Sequence, residues 1–251
     1  MPLRRVLKHY GHYCQYFCVI LLFQKERCHR RRAPHQQQRT DTRRQQHSIM
    51  EKTTFRKALE KASATIEAIR DAAHRLHAGV NQTYDGTLPY GYHLSMVAEA
   101  AMAYGHEVVD DEADIVPLVF GAYFHDSIED ARLTYNDVKK RALGFTDERG
   151  ATTAAEIVYA LTNDKGRTRA ERAGEHYYAG IRQTPYAPFV KLCDRYANMK
   201  HSAPAANAGN SRMREVYRRE WPHFIEAVTA PAGDARLGLP AALRQAVERL
   251  L

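Results

Sequence analysis

Four of the nine residues in AYFHDSIED (122–130) carry groups able to bind a cation or move a proton: His125, Asp126, Glu129 and Asp130. Beside them stand Phe124 and Ile128, which read as core. Burying charge next to such residues is costly unless it is paired. The stretch is therefore either a helix end emerging into water or one side of a site that holds a positive ion. In a continuous helix, residues four apart share a face, which places His125 above Glu129 and Asp126 above Asp130. Downstream, KLCDRYANM (191–199) repeats that spacing with Asp194 and Asn198 between the apolar Leu192 and Met199. Upstream, YGYHLSMVAEAA places His93 at the start of an apolar segment.

Taken singly, each of these residues reads more readily as a satisfied structural histidine or a solvated acid. Together they offer two imidazoles and two carboxylates from three core-like segments. That donor set suits Mn, Fe or Zn and leaves coordination positions for water and substrate. An ion so held acidifies water and polarises a phosphoryl oxygen. Glu129 and Asp130, one turn on, are placed to orient or deprotonate that water.

The elements that must position these groups are helical. From Phe55 through Leu59, Ala62, Ile66, Ile69, Ala73 and Leu76 the apolar steps are three and four residues, predicting one amphipathic helix closed by Gly79. NQTYDGTLPYGY (81–92) reads as a loop. A second helix is expected from His93 to Tyr104, and a third from just after Asp114 to Ile128, with Pro117 in its first turn. Thr134 can cap a short helix ended by Gly144. Further helices are expected at 148–162, 168–182, 188–200, 211–228 and 239–251. No strand pattern or Gly-rich phosphate loop competes with them. The expected fold is all-α, a single helical domain over 50–251.

Composition bounds the partners. A hydrophobic fraction of 44% and a charged fraction of 26% are ordinary for a globular protein. The net charge of +8 is unevenly spread. Residues 1–49 hold eleven Lys and Arg against Glu26 and Asp41, a balance of +9, while the remaining 26 basic and 27 acidic residues leave 50–251 at −1. Nucleic acid is thus an expected partner only through the N-terminal segment. There YFCVILLF (16–23) is too short to span a bilayer, and RCHRRRAPHQQQRTDTRRQQH (27–47) has no helical period and reads as disordered. Two accounts of 1–49 stay open: an upstream start-site artefact ahead of Met50, or a genuine tail for nucleic acid or a membrane surface. Cys14, Cys18 and Cys28 lie in that segment at spacings that fit no compact zinc pair, leaving Cys193 in the body. This usage suits a reducing cytoplasm. Oligomeric state is not legible.

The order of these motifs resembles the HD-domain phosphohydrolases, and more closely the hydrolase domain of the RelA/SpoT family with its stand-alone small alarmone hydrolases. The family's PYIxHP looks like PYGYHL (89–94), its HDxxEDT like HDSIEDA (125–131), its VTDDK like LTNDK (161–165) and its KLADRLxNM like KLCDRYANM (191–199). The resemblance covers roughly 54–202. It implies an HD-type helical bundle with His93, His125, Asp126 and Asp194 as metal ligands, Glu129 and Asp130 as catalytic acids, and Asn198 touching substrate. It also implies Mn2+, or another divalent transition metal, and a small nucleotide substrate: removal of the 3′-pyrophosphate of guanosine tetra- or pentaphosphate. Leu94 and Ala131 depart from the family's proline and threonine, and YDGTLPY lacks its basic residues. Positive charge for phosphates can come instead from DKGRTRAER (164–172), where Lys165 and Arg172 stand with Arg167 and Arg169. The alternatives are an HD phosphohydrolase for another phosphorylated nucleotide, and a nucleotide-sensing regulator that binds nucleic acid through its tail.

Overall fold

A computed structural model describes residues 49–203, 211–231 and 233–251. The expectation of disorder for 1–49 lies outside them, apart from Ile49. Twelve α-helices occur among the described residues. α1 (Lys52–Lys61) and α2 (Ser63–Gly79) lead into a two-stranded antiparallel pair, β1 (Thr83–Tyr84) and β2 (Leu88–Pro89). Then come α3 (Gly91–Tyr104), α4 (Ile115–Phe124), α5 (Ser127–Asp130), α6 (Tyr135–Ala142) and α7 (Glu148–Leu161). α8 (Arg169–Arg172), α9 (Glu175–Gln183), α10 (Ala187–His201), α11 (Ser211–Val228) and α12 (Ala241–Glu248) complete the chain. The all-α expectation holds for the described residues.

The bundle is organised around α4. Its sequence IVPLVFGAYF is apolar on every side, as a helix enclosed by others must be. α2, α3, α7 and α10 pack around it, and α10 also packs along α3. Phe120 and Phe124 stack at 4.2 Å, both fully buried. Gly121 lets α7 come close: a Cβ there would stand 2.7 Å from Ile157 Cγ2.

Three expectations need correction. The first helix is two, divided at Ala62, whose φ of −88° and ψ of 3° leave the helical range. The predicted 168–182 helix is also two, because Gly174 is extended between α8 and α9. The third helix stops at Phe124 rather than Ile128. There the His125 imidazole takes the Ala122 carbonyl through Nδ1 at 2.9 Å, and Asp126 forms the junction to α5. A side chain competing for a backbone carbonyl is a local alternative to the helical ladder. The two histidine-aspartate residues thus sit at a corner, and Glu129 with Asp130 ride on the next, four-residue helix.

Candidate active site

Three segments deliver the central cluster. His93 comes from the first turn of α3, His125 and Asp126 from the corner after α4, and Asp194 from the middle of α10. The apolar sides of α3, α4 and α10 pack on one another, so burial fixes where these four point. Their polar atoms converge. His93 Nε2 lies 3.3 Å from His125 Nε2, 3.3 Å from Asp194 Oδ1 and 3.8 Å from Asp126 Oδ2. His125 Nε2 is 2.9 Å from Asp126 Oδ2 and 4.0 Å from Asp194 Oδ1. Both histidines are only 2% exposed.

Two ring nitrogens 3.3 Å apart cannot both present lone pairs unless positive charge lies between them. The protonation balance says the same. Burial alone favours a neutral His125, but the charge and hydrogen bond of Asp126 outweigh it and push its pKa up to about 9. Burial likewise opposes ionisation of Asp194, yet Lys191, backed by both histidines, holds it well below the usual carboxylate range. The two nitrogens and the Asp126 oxygen are a donor set that a divalent ion can take, and Asp194 Oδ1 stands 3.3 Å from His93 Nε2 beside it. His93, His125 and Asp126 each offer a ligand atom within 4.8 Å of the others. The His125 Nδ1 contact to the Ala122 carbonyl turns Nε2 toward the cluster, as ligating histidines require.

Around the cluster stand groups that sequence reasoning passed over. Tyr90 Oη donates to Asp126 Oδ2 at 2.5 Å. Lys191 Nζ donates to Asp194 Oδ2 at 2.9 Å, and its own pKa is raised: burial works against the ammonium, but Asp194 outweighs it. Lys191 precedes Asp194 by three residues on a helix, a pairing the spacing could have revealed. Tyr84 and α11 gave no such signal, because tertiary folding alone brings them in.

The cluster opens into a cavity of about 660 Å³, within the range of a nucleotide-sized ligand. His93, Asp126 and Asp194 line it, as do Arg172 and Asn198. Lys165 is exposed and does not line it. Glu129 is exposed as well and accepts from Asn163 N at 2.6 Å and Nδ2 at 3.1 Å, so it meets the cavity only through Asn163, which lines it. Asp130 is half-buried, and its Oδ2 has no hydrogen-bond partner among the described residues. Burial, and behind it the charge of Asp126, pushes its pKa up to about 6. The opposite wall carries Arg169 and Arg195, both hydrogen-bonded to Glu220 of α11 at 2.7 to 3.0 Å. Arg195 also lies over the rings of Tyr217 and Phe224, at 4.7 and 4.4 Å.

Among the described residues, no helix is long and apolar enough to cross a membrane. No protein-family model matches the sequence. Two curated proteins do resemble it. The chain is 26% identical over 156 residues to the guanosine-3′,5′-bis(diphosphate) 3′-pyrophosphohydrolase MESH1 of Danio rerio, a match covering 62% of this chain and 78% of that protein. It is 27% identical over 162 residues to the protein of the same name from Mus musculus, covering 64% and 81%. The chain is thus a distant relative of proteins named as hydrolases of a guanosine bis(diphosphate), the direction in which its own motifs point.

Proposed function

We propose that residues 50–251 form an HD-type, divalent-metal-dependent phosphohydrolase domain that removes the 3′-pyrophosphate of guanosine tetra- or pentaphosphate. The observation that carries this reading is the convergence of four donor atoms from three helix-borne segments at the edge of a nucleotide-sized cavity. The similarity to the two pyrophosphohydrolases supports the substrate class. His93, His125, Asp126 and Asp194 would hold the ion, Mn2+ by analogy with the resembled family. A bound divalent cation supplies Lewis acidity at the phosphoryl oxygen and acidifies water.

The remaining work falls to the chain. The water's oxygen bonds to the 3′-linked phosphorus, the ester bond to ribose O3′ breaks, and O3′ leaves with a proton. Asp130, half-buried four residues after Asp126, would accept the water's proton. Glu129 fixes the Asn163 edge of the cavity. Lys191 offers positive charge beside Asp194, while Arg172 and Asn198 reach the nucleotide from the cavity wall.

Purified protein supplied with Mn2+ should convert guanosine tetraphosphate to GDP and pyrophosphate, and Asp126→Ala should abolish this. Undiminished turnover by Asp126→Ala would refute the site. A second reading keeps the site and changes the nucleotide. It is favoured by the pairing of Arg169 and Arg195 on one carboxylate and of Lys191 on another, which leaves Arg172 to face additional phosphates. A panel of 3′- and 5′-phosphorylated nucleotides, with phosphate and pyrophosphate measured separately, distinguishes the two.

A further inference from the structure

Tyr84 stands on β1, in the short pair that closes through Asp85 and Gly86, both at positive φ (54° and 73°). Asp85 Oδ2 meets His201 Nε2 at 3.0 Å, which fastens this turn to the end of α10. The Tyr84 ring lies flat on His93, with centroids 4.8 Å apart and planes 19° from parallel. Its Oη donates to Asn198 Oδ1 at 2.9 Å, and Asn198 Nδ2 donates to Asp194 Oδ1 at 2.5 Å. Its edge also meets Tyr90, the donor to Asp126, at 6.2 Å and 84°.

The direction of the chain of hydrogen bonds is forced. An ionised Asp194 only accepts, so Asn198 must turn its NH2 group toward it. Its carbonyl oxygen then faces Tyr84, which must be the donor. The Tyr84 hydroxyl therefore braces Asn198 in the orientation that Asp194 demands, and through it steadies the Asp194 oxygen that faces His93. The same side chain blocks rotation of His93 with its ring face.

We infer that Tyr84 is a positioning residue for the metal-binding cluster, holding His93 by stacking and Asp194 through Asn198. This rests on the metal-site reading above. Partners of this kind are worth roughly 10- to 100-fold in metal affinity.

The test is Mn2+ titration of the purified full chain without nucleotide, followed by free-ion electron paramagnetic resonance or calorimetry. Tyr84→Phe keeps the ring and loses the donor. It should weaken Mn2+ binding by about tenfold, in the lower part of the range for such partners. Tyr84→Leu, which loses the ring as well, should weaken it further. Because Tyr84 and Asn198 act in series, adding Tyr84→Phe to Asn198→Ala should cost nothing more than Asn198→Ala alone. Wild-type Mn2+ affinity in Tyr84→Phe, fully additive losses, or a raised KM with unchanged Mn2+ affinity would each overturn the inference. A lowered melting temperature with unchanged affinity would reduce Tyr84 to a fold contact and overturn it too. A wild-type chain that takes up no Mn2+ is a separate result and sinks the metal reading itself.

Discussion

Asp130 and Lys191 sit beside the same cluster and carry opposite burdens. The fold raises the Asp130 pKa from about 3.8 to about 6, so its contribution to stability is complete below pH 4 and is lost as pH rises through 6. Asp130→Asn removes that loss. In metal-free protein the variant should gain on the wild type between pH 5 and pH 7.5. Since water screens a half-buried group, the gain should be about 1 kcal/mol, or about 2–4 °C in melting temperature. A melting difference that is the same at both pH values would contradict the assignment. Lys191 works the other way, as the cation that compensates Asp194. Lys191→Met takes the ammonium from a largely buried carboxylate and leaves it only Asn198 and the histidines, at a cost of about 3 kcal/mol. A bound divalent ion would take over that compensation, so the melting deficit should be large in chelator and shrink when Mn2+ is added. An equal deficit in both would mean that Lys191 and the ion do not share Asp194. The four cluster residues were legible because imidazoles and acids stood out from apolar segments. Lys191 was missed because a lysine ahead of an aspartate on a helix is ordinary in composition, and only the burial of both makes it consequential.

At the scale of elements, the cluster depends on α4 ending at Phe124, and α4 is held by its contact with α7. Gly121 meets Ile157 where a Cβ would stand 2.7 Å from Cγ2 and 3.1 Å from Cβ. Gly121→Ala should therefore destabilise by about 1–3 kcal/mol through overpacking, read by urea denaturation. Ile157→Ala removes the obstructing methyl and should itself cost about 2–5 kcal/mol as a cavity. Together the two should cost less than their sum by about 1 kcal/mol or more, because each relieves the other. Simple additivity would show that the helices separate instead of interlocking. The helices themselves were readable from three- and four-residue apolar steps, since those steps are the imprint of this packing. Their breaks were not. Ala62 is as good a helix former as its neighbours, and nothing local marks it as a junction. The stop at Phe124 depends on which carbonyl the His125 ring reaches, and apolar periodicity carries no trace of that. The correction matters for chemistry. The supposed vertical alignment of His125 over Glu129 gives way to a corner that points His125 inward and leaves Glu129 outside, held by Asn163.

For the molecule as a whole, the excess positive charge lies in residues 1–49 and the described core lies beyond them. The described residues, from Ile49 on, belong to one compact unit. Among the described residues, the buried core begins at Phe55, which is 2% exposed against the bundle. The Met50 backbone N–H donates to the Val109 carbonyl at 2.8 Å, and a chain starting at Met50 would place its terminal amino group there, still a donor. None of the groups in the cluster or the cavity wall precedes Tyr84. A version beginning at Met50 should therefore keep its melting temperature and its nucleotide hydrolysis. Loss of either would show that the first 49 residues complete the domain. The same deletion takes the net charge from +8 to −1. Any affinity for RNA or DNA in the full chain should disappear with it, and should fall steeply between 50 and 200 mM salt while it lasts, because phosphate contacts release counterions. Nucleic-acid binding that survives the deletion, or ignores salt, would move the binding surface onto the domain. Such a result would count against a regulator that binds nucleic acid through its tail. Hydrolysis unchanged while nucleic-acid binding is lost would instead separate two activities along one chain, with the −1 body acting on a small anion through local charges such as Lys191 and Arg172, since it has no net attraction to offer.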